Sequence, residues 1–125
     1  PLIDGDVGEL LYSASKDQLS SLEVAFHTRH ALTVVLASEG YPQSAIKGRI
    51  IHGADHGSDT SETWVSHAGT ARDEENNLVS SGGRVLSVTS VAETLQKAHD
   101  LSYQRLQQIR LEGSHYRTDI GHRAL

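Results

Sequence analysis

The sequence predicts an α+β fold, in which several short strands joined by tight turns are followed by one long helix packed on them. Three observations carry this expectation. Ala31–Ala37 and Arg84–Thr89 are apolar, β-branched runs of strand length. Glycine, proline and asparagine punctuate the chain between and around them, as at Gly40-Tyr41-Pro42, Asn76-Asn77 and Gly82-Gly83. From Val91 to Ile109, apolar residues recur at helical spacing.

In chain order, Asp4 or Asp6 caps a short helix ending near Ser15, with Leu10 and Leu11 facing inward. Leu22 to Arg29 alternates apolar and polar residues around Val24 and Phe26, as in a half-buried strand, and a segment boundary is expected there. The Ala31–Ala37 strand runs into the Gly40-Tyr41-Pro42 turn, where proline fixes its own φ and keeps Tyr41 out of helix. Lys47–His52 reads as a second strand, Gly53–Ser61 as loop and Thr63–His67 as a third strand. Asn76-Asn77 closes a hairpin into Leu78-Val79. Ser80-Ser81-Gly82-Gly83 opens onto the Arg84 strand, and Ser90-Val91-Ala92-Glu93 has the spacing of a capping box. The helix expected there buries Val91, Leu95, Ala98, Leu101 or Ser102, Leu106 and Ile109, and Gly113 is its expected stop. The tail from His115 is too polar for a core element.

A chain of 125 residues fits one domain with a modest core plus an attached end piece. It begins with Pro1 and has no methionine, so it is expected to be an excerpt of a longer polypeptide. Cysteine is absent, which excludes disulfides, thiolate metal sites and cysteine nucleophiles and agrees with a cytoplasmic setting. No apolar run approaches the roughly 20 residues of a membrane helix, so no membrane partner is expected. With 11 basic against 16 acidic residues the formal charge is −5, which argues against a broad nucleic-acid surface. An anion site, if present, is local.

Four stretches, in order, resemble the C-terminal domain of the phosphoribosylamine–glycine ligase family. They are Thr33 to Pro42 with the later Lys47-Gly48, His67-Ala68-Gly69-Thr70, Gly82 to Leu86 with Val88-Thr89, and Tyr116 to Ala124. Gln43, Ser80-Ser81 and His122 depart from the family pattern. The resemblance implies a small, mostly antiparallel, barrel-like β domain of the barrel-sandwich hybrid type over residues 30–125 with the helix packed on it. Residues 1–29 would be the tail end of an ATP-grasp portion and a linker. It implies the parent's reaction too: ATP phosphorylates glycine, the amine of phosphoribosylamine attacks, and glycinamide ribonucleotide, ADP and phosphate result, in purine biosynthesis. ATP and Mg (or Mn) would be held mainly by the remaining N-terminal and ATP-grasp domains, and the segment alone would be inactive. The alternative is a free-standing small-anion-binding or interaction module with the same β domain.

Arg84 is the first candidate for substrate contact. It follows Gly82 and Gly83, whose small size lets backbone amides face an anion, and guanidinium suits phosphate. The competing reading is a turn with Arg84 paired to a surface carboxylate. Gly40, Tyr41 and Pro42 would wall the substrate cleft or form a plain turn around a packed tyrosine. Lys47 would add a second positive charge or simply be solvated. Arg117 and Arg123 would reach the cleft or, the favoured reading, tether the tail to Asp119 and other acids. His52 and His56 have a four-residue spacing that aligns metal ligands only on a helix, and this stretch is glycine-rich loop. His67 reads as a turn-stabilising hydrogen bonder and Trp64 as a packing residue or part of the face that contacts the remaining domains. No catalytic residue is expected in the segment.

Overall fold

The computed structural model describes residues 1–125, the side chains of Ser21 and His56 excepted. Among the described residues there are nine strands and two α-helices: β1 Ile3–Asp4, α1 Val7–Ser15, β2 Ala25–Phe26, β3 His30–Ala37, β4 Ile51–His52, β5 Thr63–His67, β6 Thr70–Arg72, β7 Leu78–Ser80, β8 Arg84–Ala92, α2 Leu95–Gln107 and β9 Arg110–Leu111. Every strand pairing is antiparallel. The main sheet has the order β3-β8-β5, and β1-β2, β4-β9 and β6-β7 are two-stranded ladders. Isolated bridges join Ala37 to His115 and Ile50 to Val79.

The α+β class is therefore observed, with the α2 helix packed across β3 and β8. The core lies between them. Val34, Val85, Val88, Ala92 and Ala98 are fully buried, and Leu36, Leu86 and Leu106 nearly so. Strand β8 is central and buried on both faces over most of its length, and its Val85, Leu86, Val88 and Val91 are interspersed only with the small side chains of Ser87, Thr89 and Ser90. Strand β3 has a polar-facing side at Thr33 and Val35. The β6-β7 hairpin closes at Asp73, whose carboxylate accepts from Glu75 N–H and Asn77 N–H, with Asn76 at φ +66°.

Several expectations are corrected. Helix α2 starts four residues beyond Val91, because Ser90, Val91 and Ala92 extend β8 between its two neighbours, and Ser90 Oγ is buried 2.9 Å from Thr63 Oγ1. Thr94, not Ser90, caps it by accepting from Lys97 N–H at 3.2 Å. It ends at Gln107, well before Gly113, and β9 pairing to β4 takes over. The helix is thus 13 residues long and is followed by a strand and the tail, so it is not the end of the chain. The expected Lys47–His52 strand shrinks to Ile51–His52, since Gly48 and Arg49 spend their backbone groups on Ser80. The Leu22–Arg29 strand shrinks to Ala25–Phe26, paired only to β1. Asp6 caps α1 as expected, but Leu11 is 65% exposed.

Candidate functional site

The end of β3, the loop after it and the start of β8 meet at one corner. Strand register shifts between Leu36 and Ala37: Leu36 faces Leu86, and Ala37 faces Arg84. This bulge leaves Val85 in the core and turns Arg84 outward, a common use of bulges beside sites. Loop residue Tyr41 packs its ring over Gly83, and a Cβ at Gly83 would overlap that ring. Gly40, at φ +77°, turns the chain, and its carbonyl accepts from Ser44 N–H at 2.8 Å.

These elements enclose an open groove of about 570 Å³. Tyr41, Gly83, Arg84, Ala68, Gly69 and Leu86 line it, together with Val35 and Ser87, which pair directly across β3 and β8 and so share one face of the sheet. Arg84 is exposed, and no described carboxylate pairs with it, so the surface ion pair that competed with the phosphate reading is not formed. Gly82 stands behind the rim with its Cα against Gly69. The structure thus brings Arg84, Gly83 and Tyr41 together with Gly82 in support. Gly40 and Pro42 shape the loop without lining the groove, and Lys47 is exposed outside it.

Ser38 and Ser87 were not singled out from the sequence. Ser38 is 2% exposed and binds the corner twice, its N–H donating to Gly83 O and its Oγ to Gly82 O, both at 2.9 Å. A serine buried directly after an apolar strand was the available signal. Glu39 is held by Arg49, whose Nη1 also donates to Glu112 O at 2.7 Å. A second open groove of about 600 Å³ lies along β4 and β9 and contains Arg49, His52 and Arg110, but none of the expected site residues.

His52 sits on β4 opposite Arg110, and the His56 side chain lies outside the described residues. Among the described residues no three His, Asp or Glu side chains are gathered to hold a metal ion. His67 Nδ1 lies 3.3 Å from Thr70 Oγ1, the turn contact expected of it. No helix is long and apolar enough to cross a membrane, among the described residues.

The tail is tied down as expected of Arg117. Its Nε and Nη2 bond the two carboxylate oxygens of Asp119 at 2.8 and 2.5 Å. Tyr103 OH donates to Arg117 O and accepts from Ile120 N–H. The hydrogen bonds from Arg117 hold the Asp119 carboxyl below its ordinary value of 3.8. A depressed folded-state value means that this pair's contribution is present above the unfolded value and lost as pH falls through the folded one. Arg117→Gln is expected to bring the Asp119 titration back up toward 3.8. A carbon-detected NMR titration reads this, and an unchanged midpoint would remove the assigned cause.

Comparison with known proteins places the fold. Residues 31–123 match the family described as phosphoribosylglycinamide synthetase, C domain. The bifunctional purine biosynthetic protein purD of Dictyostelium discoideum is 41% identical over all of this chain, which spans 15% of its length. A phosphoribosylamine–glycine ligase of Caulobacter vibrioides is 45% identical over 98% of the chain and 29% of its own length. The chloroplastic phosphoribosylamine–glycine ligase of Arabidopsis thaliana is 40% identical over 98% of the chain and 23% of its own. The crystal structure of phosphoribosylamine–glycine ligase from Thermotoga maritima superposes with a TM-score of 0.61 at 36% identity, over 72% of this chain and 21% of that one. The chain thus spans less than a third of each of these relatives, and with the match covering residues 31–123 it belongs to the phosphoribosylglycinamide synthetase C-domain family.

Proposed function

We propose that the chain is the C-terminal part of an ATP-dependent ligase that joins glycine to 5-phosphoribosylamine, giving glycinamide ribonucleotide, ADP and phosphate in purine biosynthesis in the cytoplasm. Its own contribution is one wall of the substrate site, and alone it is inactive. The observation that carries this reading is the groove in which an unpaired Arg84 stands beside a glycine corner. A guanidinium without a protein carboxylate is available to a sugar phosphate. Tyr41 and the Gly40–Pro42 loop shape the rim, and Lys47 raises the local positive potential from outside it. The ligase names of the relatives, each much longer than this chain, favour this reading over a free-standing module.

ATP supplies the phosphoryl group that activates the glycine carboxylate, and the parent's remaining domains hold it with Mg (or Mn). Among the described residues no three acidic or histidine side chains gather around one point, and no metal ligand is assigned to this segment. The proposed division is residues 1–29 as the end of the ATP-grasp portion and linker, and 30–125 as the ligase's C-terminal domain. Supporting it, no described residue before Leu32 joins the core cluster, and Leu11, Tyr12 and Phe26 are each at least 64% exposed. The barrel-sandwich form draws support from the bridges Ala37–His115 and Ile50–Val79, which link the main sheet toward β4, β9 and the β6-β7 hairpin.

The test is a product assay with the full-length polypeptide. ADP should form only when glycine and phosphoribosylamine are both present, and this chain alone should form none. ADP formation dependent on a different carboxylate or amine would overturn the assignment.

A further inference from the structure

Ser38 makes two bonds to one corner: from its N–H to Gly83 O and from its Oγ to Gly82 O. Both peptides concerned are trans, and in a trans peptide the carbonyl and the next N–H point in opposite directions. With both carbonyls turned to Ser38, the N–H groups of Gly83 and Arg84 point away from it. That side of β8 is where the chain continues from β5 through Ala68 and Gly69, which line the groove. Arg84 O is on the same side, accepting from Gly69 N–H at 3.0 Å. Among the described residues the Gly83 N–H reaches no acceptor.

Successive amides on one side of a turn make a concave anion site. Here the concavity adjoins the Arg84 guanidinium, and a side chain at position 83 is excluded by the Tyr41 ring. We propose that Ser38 is a positioning residue that holds the Gly82 and Gly83 carbonyls on its own side, so that the amides of Gly83 and Arg84 form a nest for the phosphate monoester of the substrate. This rests on the reading of the groove as a sugar-phosphate site. Two fixed dipoles then orient the phosphate while the flexible guanidinium neutralises it.

The experiment is an amide NMR titration of this chain with ribose 5-phosphate, and with ribose as control. The expected result is a saturable shift of the Gly83 and Arg84 amides with ribose 5-phosphate and none with ribose. Ser38→Ala should weaken the apparent affinity by about 2- to 10-fold, the scale of one neutral hydrogen bond, and Ser38→Thr should restore it. If the Arg84 side-chain resonance moves while both amides stay still, the nest is overturned and the groove reading survives. If neither moves, both fall. Because the unsubstituted chain decides these outcomes, an unfolded Ser38→Ala leaves the test intact. Equal affinity in a folded Ser38→Ala would remove Ser38 from the role.

Discussion

Arg84→Ala in the full-length ligase is expected to raise the KM for phosphoribosylamine by roughly 10- to 150-fold, the loss of one charge-assisted hydrogen-bond set. The KM for ATP should change little, since the nucleotide is assigned to the other domains. The bulge at Leu36/Ala37 turns Arg84 away from the core, and no described carboxylate is paired to it. Arg84→Lys keeps the charge but loses the planar fork, so it should recover only part of the affinity. Steady-state kinetics with each substrate varied in turn separates these outcomes. Matching constants in the variant and the parent would take Arg84 out of the site, and a rise in the KM for ATP as large as that for the amine would reassign it.

Arg105→Ala is expected to destabilise this chain by about 3 kcal/mol, a large share of the ~5–15 kcal/mol typical of a domain. Arg105 is 5% exposed on α2. Its Nη1 donates to Gly53 O at 2.7 Å, its Nη2 to Asp55 O at 3.4 Å, and Asp59 lies 3.9 Å away. It therefore pins the loop from Gly53 to Asp59 against the end of the helix, where Gly53 itself, at φ +74°, has no room for a side chain beside Gln108 O. Removing the guanidinium leaves carbonyls without partners, each costing about 1–3 kcal/mol where water cannot reach them. Arg105→Met retains most of the packing volume without the donors. Urea unfolding of the two variants then divides packing from hydrogen bonding. An Arg105→Met chain as stable as the original would show that the loop needs no donor.

Both residues also mark how far the sequence could be read. Arg84 was conspicuous in the sequence because its neighbours are two glycines ahead of a strand, a local pattern. Arg105 was not, although it falls on the inward stripe between Ser102 and Ile109: a charge on a buried face makes sense only once the carbonyls it satisfies are known, and these come from residues about 50 positions earlier. Ser38 was missed for the same reason, since its partners are 44 and 45 positions away.

By itself the sequence determined what short-range chemistry determines. The β3 strand, the Asp6 cap, the Gly40 turn, the Asp73–Asn77 hairpin and the four stretches that resemble the ligase family all depend on neighbours a few residues apart. Only the tertiary structure decided where long-range pairing overrides local preference. A capping-box pattern at Ser90 lost to a strand sandwiched between two others, because extending the ladder buries Val91 and Ala92 whereas starting the helix there would withdraw them from it. The groove is likewise a tertiary product: Val35, Tyr41, Gly69 and Arg84 come to line one surface only when β8 runs back between β3 and β5.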